Sequence, residues 1–157
     1  MTKHIIAVIG LLALVATARP AAADSKKLVV VVAKGSPITN ISRGDLKHAF
    51  SGDAVSAGGK TLVPFNFQPG TPERSGFDDA VLGMSADAVG RFWVDRKVRG
   101  QSGAPRALPS PAHIAKVVAK FPGAISYLPA DALTADVQPV KVDGVAHTDA
   151  RYSITNK

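Results

Sequence analysis

From Leu28 to Ala33 the chain is apolar without interruption, LVVVVA, and most of the run is β-branched. That length and composition match a strand covered on both faces in an α/β sheet. The period then changes. Ser42 stands as an N-cap with Asp45 three residues on, and Leu46, Ala49 and Phe50 fall at helical spacing up to a stop at Gly52. Gly52 to Lys60 is small and polar and reads as a loop. Thr61 to Phe67 reads as a second strand, which Pro64 places toward a sheet edge. Thr71 and Pro72 supply a cap and a first-turn proline for a helix with the apolar stripe Phe77, Ala80, Val81 and Met84, weakened at Gly83. Ser85 and Asp87 restart a helix through Val89, Phe92 and Trp93, whose spacing turns an aromatic face inward. Val98 to Leu108, rich in Gly, Pro and Arg, reads as loop. Ser110 and Pro111 open a last helix through Ile114, Val117, Val118 and Phe121, and Ala124 to Leu128 and Val137 to Val142 finish as strands.

Strands alternating with helices imply an α/β layer architecture. Residues 24–147 form the expected domain, and residues 148–157 are expected to be a loosely held, flexible C-terminal tail. The first 23 residues read as a secretory signal. Lys3 and His4 precede the apolar run Ile5 to Ala18, and Ala21, Ala22 and Ala23 offer small residues for cleavage before Asp24. The apolar run falls short of the roughly 20 residues a spanning helix needs. The expected product is therefore periplasmic, with no membrane insertion after signal removal.

Composition narrows the chemistry. The absence of cysteine excludes a disulfide framework, thiolate catalysis and a lipid-anchored cysteine. Lys3 and Arg19 leave with the signal, taking the net charge of +7 to +5, which favours anionic partners. His48, His113 and His147 stand apart, without a second histidine or carboxylate at ligand spacing, so no metal site and no cofactor is implied. Gly59, Lys60 and Thr61 imitate the end of a phosphate-binding P-loop, but Ala54 occupies the earlier glycine position and a strand follows in place of a helix. No Gly-x-Ser-x-Gly occurs around Ser102. An enzyme is the least favoured class.

Three segments carry a family likeness: GSPITNIS (35–42), AFSG (49–52) and PGAISY (122–127). They resemble the "NPVSNLS", "IFxGK" and "PGAIGY" text of phosphate ABC transporter substrate-binding proteins, over about residues 28 to 142. The resemblance implies a single lobe of a type 2 periplasmic-binding-protein-like fold, α/β with a mixed sheet flanked by helices. Such receptors close two lobes on a ligand by hinge motion, and a chain of this size supplies one. The resemblance also implies phosphate or another small oxyanion as ligand and an ABC importer as partner.

The family's phosphate loop reads "SGTRxxF". Counting back from Phe77, Arg74 falls on its Arg and Thr71 on its Ser. Pro72 replaces the Gly and removes a backbone donor, and Glu73 replaces the Thr, setting a carboxylate near the positive helix end. A helix start offers free N–H groups to an anion. Thr71, Arg74, Ser75 and Gly76 are thus candidate anion ligands, alongside the alternative that Thr71 and Glu73 only cap the helix while Arg74 pairs with Glu73, Asp78 or solvent. Ser36, in the loop after the first strand, is a further candidate, against a plain turn-and-cap role. The basic cluster Arg91, Arg96, Lys97, Arg99 and Arg106, interleaved with Phe92 and Trp93, would raise nucleic acid in a cytoplasmic chain. Export argues against that and leaves a solvated face, with Phe92 and Trp93 in the core, or docking of an acidic envelope protein. A homodimer, or an interaction module that has lost its ligand, are the remaining readings.

Overall fold

The computed structural model describes residues 26–156, so the expected signal segment lies outside the described residues. In chain order the elements are β1 (Leu28–Ala33), β2 (Asn40–Ile41), α1 (Arg43–Phe50), β3 (Ser56–Ala57), β4 (Lys60–Thr61), β5 (Val63–Phe67) and α2 (Pro72–Phe77). A π-helical turn, Asp78–Leu82, prolongs α2. Then come α3 (Ala86–Val98), β6 (Arg106–Leu108), α4 (Pro111–Lys120), β7 (Ala124–Pro129), β8 (Val137–Pro139) and β9 (Lys141–Val142).

The main sheet has five strands in the order β6-β5-β7-β1-β8. β5 runs parallel to β6 and β7, whereas β1 is antiparallel to both β7 and β8. The sheet is mixed and flanked by helices, as expected. Leu28 to Val32 are buried throughout, because β1 has a strand on either side and α4 packed across it. Ile114, Ala115 and Val118 form the buried stripe of α4. An aromatic cluster joins α1 and α2 to β7: the rings of Phe77 and Tyr127 stack at 3.8 Å, and Phe50 lies 4.7 Å from Phe77. Ser42 caps α1, accepting from the Asp45 amide at 2.9 Å while its hydroxyl donates to the Asp45 carboxylate at 2.8 Å.

Several expectations are corrected. β5 is interior, with β6 and β7 on its two sides. Pro64 is tolerated because successive residues of a parallel strand bond to opposite neighbours. The Val63 amide donates toward β7, to Gly123 O at 2.9 Å, and pairing with β6 begins only at Phe65. The presumed loop from Val98 contains the edge strand β6, and the presumed loop from Gly52 contains the β3–β4 hairpin, turned by Gly58 and Gly59. Phe92 and Trp93 are only partly buried, and Val89 is the buried residue of α3. The two aromatic rings meet edge to face at 4.9 Å, and the Arg96 guanidinium lies 5.7 Å from Phe92 and 5.9 Å from Trp93.

The C-terminal segment is not loosely held. Tyr152 and Ile154 are buried, the Leu28 amide donates to Ile154 O at 2.9 Å, and the Asn156 amide donates to Lys26 O at 2.9 Å. The Tyr152 hydroxyl donates to Leu28 O at 2.9 Å. Pairing of β8 with β1 covers only Val31 to Ala33, so this segment occupies the flank left open at the start of β1.

Candidate functional site at the start of the second helix

Thr71 is the N-cap of α2. Its hydroxyl accepts from the Arg74 amide at 3.2 Å and donates to Gln68 O at 3.0 Å, so the cap uses both capacities. Pro72 brings no amide hydrogen, and the Glu73 amide has no partner among the described residues. Ser75 gives its backbone N–H to Thr71 O at 3.0 Å, while its hydroxyl is bonded to none of the described residues. One amide and one hydroxyl are thus available at this helix start.

Arg74 is buried and committed. Its Nε donates to Asp78 Oδ2 at 2.6 Å and its Nη1 donates to Phe67 O at 3.2 Å. The two side chains are 8% and 4% exposed, so this is an interior ion pair one helical turn long. Burial holds the Asp78 carboxyl above the ordinary Asp value despite the opposing attraction of Arg74. Asp78 Oδ1 has no hydrogen-bond partner among the described residues, and neither does the buried indole nitrogen of Trp93.

The residues Asp78 and Trp93 both line one cavity, of about 200 Å³, bounded by α2, α3 and the segment leading into β6. Arg74, Ser75 and Asp78 face it from α2, Trp93 and Val89 from α3, and Pro105 and Ala107 from beyond the loop. Its walls are largely apolar, with the ion pair at one side. Its size and lining suit a small molecule that fills apolar space.

The remaining candidates lie elsewhere. Gly76 is buried under the C-terminal segment: a Cβ there would overlap Asn156 Cα and Thr155 O. The register fixes Ser36 at the far end of the sheet. Leu28 pairs with Pro129 and Val32 with Ile125, while Pro64 also pairs with Ile125, so the loop after β1 and the loop after β5 leave opposite ends. Ser36 instead accepts from the Ile38 amide at 3.3 Å and lines a different groove. Thr71, Arg74 and Ser75 are brought together, and Gly76 and Ser36 are not brought to the cavity. The sequence reading passed over Asp78 and Trp93 as cavity residues. The signal was present: Ala86, Val89, Gly90 and Trp93 recur at helical spacing and all line the cavity.

No family model matches the chain, and no curated protein does. Solved structures do. A protein from Clostridium perfringens assigned as a phosphate ABC transporter substrate-binding protein, solved with bound phosphate, superposes with a TM-score of 0.67 at 17% identity, over 83% of this chain and 53% of its own. The fold is that of a single periplasmic-binding-protein-like lobe. An ABC-type phosphate transport receptor from Vibrio cholerae gives 0.64 at 13% identity, covering 83% of this chain and 54% of its own. PstS from Borrelia burgdorferi gives 0.62 at 12% identity, covering 84% and 55%. The chain spans about half the length of the receptors it matches. Among the described residues no helix is long and apolar enough to cross a membrane.

Proposed function

We propose that the chain is an exported, non-enzymatic binding lobe that takes a small oxyanion, phosphate first, at the start of α2, in the periplasm and in association with an ABC importer. The observation that carries this reading is the backbone likeness to phosphate receptors over four-fifths of the chain, one of them with phosphate bound. The Glu73 amide, the Ser75 hydroxyl and the positive helix end would meet the anion. Arg74 would contribute only what Asp78 leaves uncompensated, and one lobe leaves the ligand open to water, where charge-assisted bonds weaken. Weak capture follows, with a dissociation constant of about 1 mM, or near −4 kcal/mol. Tight capture would need a second copy or another lobe to close over the site.

Calorimetric titration of residues 24–157 with phosphate and then sulfate tests this. Arg74→Ala is a poor control because it strands Asp78 in the interior. Glu73→Gln is the better one: it removes an opposing carboxylate from the half-buried first turn of α2 and should tighten phosphate binding by about threefold, from the helix-end charge effect of about 0.3–1 kcal/mol. Absence of heat at 10-fold the expected constant, in the protein and in the variant alike, would sink the reading. In that event a protein-interaction module becomes primary. Pro72 and the neutralised Arg74 favour that alternative, and Val94 and Val98, exposed on α3 beside Arg91, would be its contact face.

A further inference from the structure

The end of the sheet opposite α2 carries a second, unlike surface. Two adjoining grooves there share Lys34 and Lys120; one adds Lys116 and the other Lys60. None of these four lysines is ion-paired with a described residue, and Asp136 is the one carboxylate lining either groove. Apolar side chains stand beside them. Phe121 follows Lys120 and is 56% exposed, its ring 6.5 Å from Phe65. Val63 is 47% exposed and is tied to the same turn by its bond to Gly123 O. Val63 and Phe65 share a face by strand alternation, and exposed Arg106 pairs in register with Phe65 on the neighbouring strand.

We propose that this end of the molecule docks on the surface of an anionic phospholipid bilayer. Lysines on flexible stems reach headgroup phosphates while their methylenes lie along apolar surface. Each one near an anionic bilayer contributes about fivefold in partitioning. Phe121 and Val63 supply what a soluble polyanion would not reward, apolar side chains that gain by entering the interfacial layer. The lysine grooves share no lining residue with the α2 cavity, so docking through the lysines leaves the cavity uncovered. The proposal goes beyond the oxyanion reading and stands whether or not phosphate binds.

Vesicle co-sedimentation of residues 24–157 tests it. Vesicles of equal parts phosphatidylglycerol and phosphatidylcholine should pull down the protein at low salt, and pure phosphatidylcholine should not. The double variant Lys60→Gln/Lys120→Gln should lose about 25-fold in partitioning. Lys47→Gln/Lys97→Gln, with the same charge change at exposed sites away from the grooves, should lose far less. Phe121→Ala should weaken binding without altering its salt dependence. The four substituted lysines are exposed, so the thermal melts of the two lysine variants should coincide. Equal loss in both lysine pairs would reduce the effect to net charge and overturn the proposal. So would an unchanged Phe121→Ala, or full competition by soluble polyphosphate, each of which points to a polyanion in place of a bilayer.

Discussion

Arg74 and Asp78 have almost no water to share their charges with, so each depends on the other. Arg74→Met leaves Asp78 unpaired in the interior and should cost about 3–5 kcal/mol, whereas Arg74→Met/Asp78→Leu should recover most of that loss. Urea denaturation of the two variants checks this; equal destabilisation would contradict it. The same pair sets a pH dependence. Because burial raises the folded-state Asp78 carboxyl above its unfolded value, the stabilising proton is fully held below about pH 3.8 and is lost as pH rises through the folded value. The double variant lacks this penalty, so its stability relative to the parent should improve as pH rises above the ordinary Asp value of 3.8; a parallel pair of curves would refute the assignment. Gly76→Ala should cost about 2 kcal/mol or more by overpacking against Thr155 and Asn156, and should open the C-terminus to proteolysis. At this scale the sequence made the capping of α2 by Thr71 legible, because cap chemistry is local. The commitment of Arg74 was legible only as alternatives. Spacing puts Asp78 one turn away, but burial, which decides between a free and a locked guanidinium, comes from α3 and the segment before β6.

Elements with a continuous apolar run or a helical stripe were readable: β1, α1, α4 and β7 stand close to where their patterns place them. Short elements held by distant partners were not. β6 has three residues and exists because β5 offers an open side, and no local pattern announces that. The C-terminal segment is the clearest case. Its composition looks like a tail, yet Tyr152 and Ile154 complete the flank of β1. Burial pushes the Tyr152 hydroxyl up to about 12, so it keeps its proton and its donor role at any working pH. Deleting residues 149–157 should cost about 3–6 kcal/mol, from about 1.5–3 kcal/mol for each large buried side chain. An unchanged urea midpoint for the truncated chain would show that these contacts contribute nothing.

The whole molecule is a lobe with two chemically distinct ends. One end carries a small, mostly apolar cavity with a neutralised arginine, and the other carries lysines with no ion-pair partner among the described residues, beside exposed Phe121 and Val63. Net charge predicted an attraction to anions without saying which end exerts it, since the register of β1, β5 and β7 is a non-local property. That separation makes amide chemical-shift mapping the most direct measurement. Phosphate titrated into isotopically labelled residues 24–157 should shift the amides of Glu73, Arg74 and Ser75 and the indole N–H of Trp93, the chain's single tryptophan, and should leave the loop after β1 unmoved. Shifts confined to Lys34, Gly35, Ser36 and Lys120, or none at all, would contradict an oxyanion site at the start of α2.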